Sequence, residues 1–233
     1  MVVAEADEFD RSFLQLFPET AVITSMDADH LDIYGDESHI REAFKAFASQ
    51  VSGTVIVKHG LDITSEDSKA DIKTYSYDDP EADFYARLTE GDGNGFSHFD
   101  LHYPGGVIRD CAVGIPGWVN IENAVGAAAI CLTYGLDPEK IREALASFAG
   151  VKRRFDIQLK SDRCIYIDDY AHHPREIEAS LTSIRGNFPE YRLTGIFQPH
   201  LYTRTRDFAE GFSKALSHVD RLILLDIYPA REE

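Results

Sequence analysis

The last third of the 233-residue chain alternates apolar runs with amphipathic helical patterns, and this alternation limits the fold more than any other feature. The apolar runs cover residues 164–167, 193–197 and 222–225, and the helical patterns between them cover 174–188 and 208–216. Strand and helix in strict alternation are typical of a parallel, doubly wound α/β sheet, because each crossover helix returns the chain to the same edge. We therefore predict an α/β domain that begins near Arg153.

The first 152 residues predict a second domain with its own sheet. Apolar runs predict three strands, at Val2–Ala4, Ala21–Thr24 and Thr54–Val57. Apolar residues spaced three and four apart predict a helix from Ile40 to Val51. Short alternating segments between residues 72 and 113 are separated by turn residues, which is typical of antiparallel hairpins. Two helices are predicted after them, over 120–134 and 138–148.

Composition excludes several classes of function. The net charge of −17 argues against nucleic-acid binding, which depends on basic patches, but it leaves small anionic substrates open. The chain has three cysteines and no CxxC pair, so we expect neither disulfide bonds nor a zinc site. This cysteine usage fits a reducing cytoplasm. No apolar stretch approaches the ~20 residues that span a bilayer, so we expect no membrane partner. The sequence gives no indication of the oligomeric state.

Acidic and imidazole side chains follow the first two predicted strands. They are Glu5, Asp7 and Glu8 after the first strand, and Asp27, Asp29 and His30 after the second. Ligand sites of parallel α/β sheets form beyond the carboxyl ends of the strands, and carboxylates there suit a hard cation such as Mg²⁺. The alternative is that these residues only cap strands and solvate loops.

Two loops of the last third concentrate polar side chains. The segment DDYAHHPREI (168–177) places two aspartates, a tyrosine and two histidines at a strand-to-helix turn, where unpaired N–H groups attract anions. The segment FQPHLYTRTRD (197–207) places His200, Tyr202, Arg204 and Arg206 after the next strand. Arginine binds carboxylates in a bidentate manner, so this loop fits an amino-acid substrate or, alternatively, is only a solvated basic loop. Two further arginines, in KRRF (152–155), are placed to reach a phosphate or are linker charge.

In combination, these segments resemble the ordered motifs of the Mur ligases, a family of ATP-dependent amide ligases. The motifs are EADEFDRSFL (5–14), AVITSMDADHLDIYG (21–35), VNIENAVGAA (119–128), GVKRRF (150–155), DDYAHHPREI and FQPHLYTRT. The resemblance implies a central ATP-binding domain over 1–152, with a mixed, largely parallel sheet and antiparallel hairpins. It also implies a Rossmann-like C-terminal domain over 153–233, both domains being incomplete. Members activate a carboxylate with ATP as an acyl phosphate, which an amine then attacks.

The resemblance also implies a role for particular residues. It assigns Glu5 and His30 to Mg²⁺, Asn120 and Asn123 to adenine, Arg154 to an ATP phosphate, Asp168 or Asp169 to ribose, and Tyr170, His172, His200 and Arg204 to L-alanine and the reacting acyl group. Metal and arginine together would offset charge that develops on the transferred phosphoryl group.

The C-terminal loops resemble the L-alanine-adding members, so the implied substrates are UDP-N-acetylmuramate and L-alanine, in bacterial peptidoglycan precursor synthesis. The alternatives are a ligase that recycles murein tripeptide, a folylpolyglutamate-type ligase, and a non-catalytic protein on the same scaffold. Two positions depart from the family pattern: Leu201 stands where an arginine is common, and Val119 where a histidine is common.

One motif expected for ATP activation is missing. The sequence contains no GxxxxGK[ST], and its first predicted strand begins one residue after Met1. We therefore expect this chain to be a fragment that has the fold of the family and little or no turnover by itself.

Overall fold

The computed structural model describes residues 2–27, 34, 36–89 and 98–230. The chain divides into two compact units, each assembled from three stretches of sequence. Unit 1 comprises Met1–Thr89, Phe99–Cys111 and Ile121–Ala144, and unit 2 comprises Glu90–His98, Ala112–Asn120 and Leu145–Glu233.

Unit 1 is built on a six-stranded sheet whose strands follow the order of the sequence, β1 to β6. The strands are β1 (Thr20–Ile23), β2 (Thr54–Lys58), β3 (Asp71–Ser76), β4 (Phe84–Leu88), β5 (His98–Tyr103) and β6 (Gly106–Ala112). The first four strands are parallel to one another, and β5 is antiparallel to β4. The sheet is therefore mixed and largely parallel, as predicted.

Two strand predictions for unit 1 are wrong. Residues 2–8 form no strand, and Val2 and Val3 are 91% and 85% exposed, because no described strand pairs with them. Strands β3 and β4 are parallel and do not form a hairpin. Their ladder has only two residue pairs, at the end of β3 and the start of β4, so a short connection is sufficient. The two-residue link between neighbouring β5 and β6 is that of a hairpin.

Helix α1 (Glu37–Gln50) covers one face of this sheet through the apolar stripe predicted from the sequence. Its side chains Ile40, Phe47 and Ala48 are buried with Val55 and Val57 of β2 in one core. A short 3₁₀ helix, Phe9–Gln15, adds Phe13, whose ring centroid lies 5.1 Å from that of Phe47. Each such fully buried apolar side chain contributes about 1.5–3 kcal/mol to folding.

Two further helices follow the sheet at the predicted places, α2 (Trp118–Thr133) and α3 (Pro138–Ser147). The chain leaves α2 through Gly135, whose φ of +72° favours glycine, and α3 begins after Asp137, whose carboxylate accepts the N–H of Glu139 at 3.0 Å.

Unit 2 contains two pairs of strands. Strands β9 (Thr194–Phe197) and β10 (Arg221–Leu224) are parallel, as predicted, whereas β8 (Ile165–Asp168) pairs antiparallel with β7 (Asp156–Lys160). The prediction of one parallel sheet through all three apolar runs is thus wrong for β8. Strand β7 was not predicted, because most of its side chains are exposed and its sequence contains no apolar run.

The described part of unit 2 also contains the helices α4 (Pro174–Asn187), α5 (Tyr202–Asp207) and α6 (Ala209–Leu216). Ile177 and Leu181 of α4 pack with Phe212 and Ala215 of α6 in a small core, against which Phe197 of β9 also lies. Among the described residues, no helix is both long and apolar enough to cross a bilayer.

Candidate active site

The segment 168–176 forms the turn between β8 and α4 that the sequence predicted. His173 is the N-cap of α4, and its Nδ1 atom accepts the N–H of Arg175 at 3.3 Å. Glu176 completes a capping box, because its Oε2 atom accepts the N–H of His173 at 3.1 Å. The turn is therefore held in one conformation by the first residues of the helix.

The two aspartates of the turn have different surroundings. Asp169 accepts the N–H of Ala171 at 3.1 Å and the hydroxyl of Ser180 at 2.7 Å, so its carboxylate holds the turn against α4. Asp168 is half-buried, and its Oδ2 atom lies 3.9 Å from Nε of Arg153. Asp168 is thus the aspartate with more capacity to accept hydrogen bonds from a ligand.

Both predicted arginines of the KRRF segment contact the ring of Tyr170. The guanidinium carbon of Arg153 lies 4.7 Å from the ring centroid, and that of Arg154 lies 5.9 Å from it. The backbone N–H of Tyr170 donates to the carbonyl of Arg153 at 2.7 Å. Two guanidinium groups are therefore held beside an exposed phenol ring, and each of them also has a carboxylate within 4 Å, that of Asp168 for Arg153 and that of Glu176 for Arg154.

The ring of His172 is held by its Nδ1 atom. This atom lies 3.1 Å from the carbonyl oxygen of Tyr170 and 3.4 Å from Oε2 of Glu176. Both neighbours are acceptors, so they favour the tautomer that carries its proton on Nδ1 and leaves Nε2 as the acceptor. This tautomer suits a group that takes a proton from an incoming amine.

The second loop lies beside the first. The ring of His173 packs edge-on against Phe208 at 4.9 Å, and the N–H of Phe208 donates to the carbonyl of Arg204 at 3.0 Å. Arg204 therefore belongs to a short helix, α5, and not to an irregular loop. The structure brings the turn and the end of α5 together, within unit 2.

His200 has a partner that sequence reasoning missed. The ring of Tyr228 lies 5.5 Å from that of His200, and the two residues form a parallel backbone bridge. Tyr228 donates its N–H to Pro199 at 2.8 Å and accepts that of Leu201 at 2.9 Å. The sequence signal nearest to Tyr228 was the apolar run at 222–225, which predicted a strand that ends three residues before it.

Leu201 has an unusual backbone conformation. Its φ of +68° with ψ of 135° lies in a region that side chains with a Cβ rarely adopt, at a cost of about 1–3 kcal/mol. The hydrogen bond to Tyr228 and the acceptance of the Thr205 hydroxyl at 2.7 Å hold it there. Such strain next to a polar histidine is typical of functional loops.

The predicted metal and adenine residues are less constrained. Glu5 is exposed, and His30 lies outside the described residues, as does Asp29. Within the described ranges, no three His, Cys, Asp or Glu side chains are gathered in a metal-binding cluster. Asn123 is exposed, whereas the side-chain amide of Asn120 donates to the carbonyl of Pro116 at 2.6 Å.

An ion pair in unit 1 stands beside the predicted adenine residues. Nζ of Lys58, at the end of β2, lies 2.8 Å from Oε2 of Glu122 on α2. Burial, and then the charge of Glu122, raise the pKa of the Tyr75 phenol above its ordinary value. Glu122 is next to Asn123, so this pair fixes the helix that presents the asparagine. Sequence reasoning did not single out either member of the pair.

Comparison with known proteins identifies the family. The profile of the Mur ligase middle domain matches residues 2–131, and that of the Mur ligase glutamate ligase domain matches residues 153–233. The chain belongs to the Mur ligase family. The α/β fold class predicted from the sequence is confirmed by these two Mur ligase domains and by the mixed, largely parallel sheet.

Individual Mur ligases show how much of such a protein the chain represents. The chain is 51% identical to the UDP-N-acetylmuramate–L-alanine ligase of Parabacteroides distasonis over 99% of its own length and 50% of the relative's. It is 47% identical to the ligase of the same name from Porphyromonas gingivalis, over 100% and 51%. The chain thus spans about half the length of these relatives.

Solved structures give the same result. The crystal structure of UDP-N-acetylmuramate-alanine ligase from Thermotoga maritima superimposes with a TM-score of 0.75 at 26% identity, covering 94% of this chain and 48% of that one. A MurF structure from Acinetobacter baumannii superimposes with a TM-score of 0.69 over 93% and 52% of the two chains. Its identity of 21% supports the fold alone.

Proposed function

We propose that this chain is part of an ATP-dependent ligase that joins L-alanine to UDP-N-acetylmuramate in peptidoglycan precursor synthesis. The observation that carries the proposal is the 51% identity, over 99% of the chain, to a relative bearing that name. The reaction consumes ATP and forms an acyl phosphate of the muramate carboxylate. The amine of L-alanine attacks this carbonyl, an amide forms, and ADP and phosphate leave.

Nucleotide contacts are proposed for particular residues, each on the basis of its own surroundings. Arg154 carries a cation on a surface where negative charge dominates, which suits an ATP phosphate. The carboxylate of Asp169 already accepts hydrogen bonds from Ala171 and Ser180, so Asp168 fits a ribose hydroxyl better than Asp169 does. Asn123 is exposed on α2 and fits the adenine edge, whereas Asn120 contributes through the side of its amide not used by Pro116.

Magnesium is proposed with Glu5 and His30 as its protein ligands. A carboxylate oxygen is the kind of ligand that Mg²⁺ prefers, and one or two protein ligands suffice when phosphates supply the others. The exposure of Glu5 leaves its carboxylate accessible to such an ion. When bound, the ion would offset charge on the transferred phosphoryl group.

The amino-acid subsite is proposed around Tyr170, His172, His200 and Arg204. The Nε2 acceptor of His172 would take a proton from the ammonium group of L-alanine or from the amine as it attacks. Arg204 would pair with the alanine carboxylate, a contact that gains importance because Leu201 cannot make one. Tyr170, with two guanidinium groups within 6 Å of its ring centroid, would form the wall nearest the phosphates.

We also propose a cellular location and a domain boundary for this chain. The likeness to cell-wall precursor ligases favours the bacterial cytoplasm, where ATP and the nucleotide sugar are available. Domains of 1–152 and 153–233 are favoured by the matched Mur ligase segments, which end at 131 and begin at 153.

The test is the release of ADP by the complete gene product with UDP-N-acetylmuramate and different amine acceptors. We expect release that depends on L-alanine. Dependence on a murein tripeptide would instead identify a recycling ligase, and dependence on L-glutamate with a folate would identify a folylpolyglutamate-type ligase. Absence of release with every acceptor would favour a non-catalytic role.

A further inference from the structure

Glu176 has more contacts with the candidate site than a helix cap requires. Its Oε2 atom accepts the N–H of His172 at 2.9 Å and that of His173 at 3.1 Å, and it lies 3.4 Å from Nδ1 of the His172 ring. Its Oε1 atom lies 3.7 Å from a terminal nitrogen of Arg154. One carboxylate thus contacts both an arginine and a histidine for which the resemblance predicts roles.

The capping box explains only part of this arrangement. A capping glutamate needs to accept one N–H, here that of His173, and its charge also favours the positive end of the helix dipole. The approaches to the His172 ring and to Arg154 lie outside that motif. Both involve side chains that capping leaves free to turn elsewhere.

The carboxylate has a consequence for each of these side chains. With the carbonyl of Tyr170, it places two acceptors around Nδ1 of His172, an arrangement that favours the proton on Nδ1 and leaves Nε2 as the acceptor. On its other side, it draws the guanidinium of Arg154 toward the turn, while the ring of Tyr170 lies 5.9 Å away. Glu176 itself is set by the rigid first turn of α4.

We propose that Glu176 is a positioning residue, which couples the orientation of His172 to the placement of Arg154. The inference rests on the proposed function, because it assigns the histidine to the amino-acid subsite and the arginine to the nucleotide phosphates. This role requires no contact between Glu176 and either substrate. It keeps the two groups at a fixed separation, so that the amine acceptor and the phosphate ligand face one reacting centre.

The energy of the ion pair is not the basis of this role. The Glu176 and Arg154 side chains are both partly exposed, and exposed pairs contribute little to folding. Geometry is more sensitive, since a displacement of about 1 Å at a reacting group can slow a reaction about 100-fold. The variant E176Q separates helix capping from the contacts with Arg154 and His172. Glutamine still offers an oxygen to the backbone N–H groups, but it carries no charge.

The experiment compares E176Q, E176A and the control E178Q in the complete gene product. Glu178 lies on the same helix and is 3.9 Å from both Lys214 and His218, away from the turn. For each variant we would measure the melting temperature, kcat and KM for L-alanine, and the Kd of a non-hydrolysable ATP analogue. Activities are divided by the folded fraction from circular dichroism.

We expect E176Q to melt close to the wild type, yet to lose about tenfold in kcat and several-fold in affinity for the ATP analogue. E176A should show the same losses together with a lower melting temperature, and E178Q should show neither. The proposal is overturned if E176Q matches E178Q in both kcat and Kd, because Glu176 would then only cap the helix. If the wild type shows no L-alanine dependence while E176Q still weakens analogue binding, the proposed acceptor fails and the link to Arg154 stands.

Discussion

The Nζ atom of Lys58 lies 2.8 Å from the Oε2 atom of Glu122, an ion pair that joins the end of β2 to α2. The Glu122 side chain is only 11% exposed, so removing its partner leaves a poorly solvated charge. We expect K58M to lower the free energy of unfolding by about 2 kcal/mol, measured by urea denaturation. The double variant K58M/E122Q should recover part of this loss, because no charge is then buried. Equal losses in the two proteins would contradict the account.

Gly114 should not accept a side chain. A Cβ atom there would collide with the carbonyl oxygen of Phe148 and lie 3.0 Å from that of Ala146. We expect G114A to lower the melting temperature and to cost about 1–3 kcal/mol. The matched control is G186A in α4, where nothing lies within 4 Å of the new atom. That variant should stabilise the protein by up to about 1 kcal/mol, since alanine favours a helix. Destabilisation of similar size in both would refute the packing argument.

Asp220 links stability to acid pH. Hydrogen bonds from Arg185, and then from the backbone N–H of Leu193 at 2.7 Å, lower the pKa of its carboxyl below the ordinary value. A lowered pKa contributes stability above the unfolded-state value of about 3.9, and the contribution is lost as the pH falls through the folded-state value. The difference in stability between the wild type and D220N should therefore be full at pH 6 and shrink below about pH 4. Urea denaturation at several pH values would show this, and a difference independent of pH would argue against it.

The cysteines should differ in reactivity. Cys111 is buried, and desolvation raises the pKa of its thiol to about 11, so about one thiol in a thousand is ionised at pH 8. Cys164 is exposed. We expect a thiol reagent at pH 8 to modify Cys164 rapidly and Cys111 only after unfolding, as peptide mass mapping would reveal. Fast labelling of Cys111 in a folded C164S variant would show that the Cys111 thiol is not buried.

Tyr228 should affect the His200 loop. The variant Y228A keeps the backbone hydrogen bonds of this residue but removes the ring that lies 5.5 Å from the imidazole. We expect the KM for L-alanine to rise several-fold with a small change in melting temperature, because half of the tyrosine side chain is solvent-exposed. The variant Y228F keeps the ring and serves as the control. An unchanged KM for L-alanine in Y228A would show that Tyr228 does not contribute to the L-alanine subsite.

Helices were predictable because their signals are local. The apolar stripe from Ile40 to Val51 gave α1 to within a few residues, and Pro174 marked the first residue of α4. Strand direction was predicted correctly for β9 and β10, where a helical pattern separates the strands. It was not predictable from the short segments of residues 72–113, because side chains alternate with a period of two in parallel and antiparallel ladders alike. The parallel pairing of β3 with β4 could be found only in three dimensions.

The candidate site was predictable as a set of loops and not as a set of contacts. The sequence placed His172 and Asp168 in one turn, but the separate surroundings of Asp168 and Asp169 depend on Ser180, eleven residues after Asp169. Glu176 was missed although a polar residue followed three positions later by glutamate is a capping signal. Its contact with Arg154, on a different part of the chain, had no local signal.

The most direct test of the central claim is mass spectrometry of the nucleotide-sugar product made by the complete gene product with ATP, UDP-N-acetylmuramate and L-alanine. The account predicts that UDP-N-acetylmuramate gains the mass of one alanyl residue, with one ADP formed for each product molecule. Recovery of the sugar nucleotide unchanged, or joined to a different acceptor in preference to L-alanine, would contradict it.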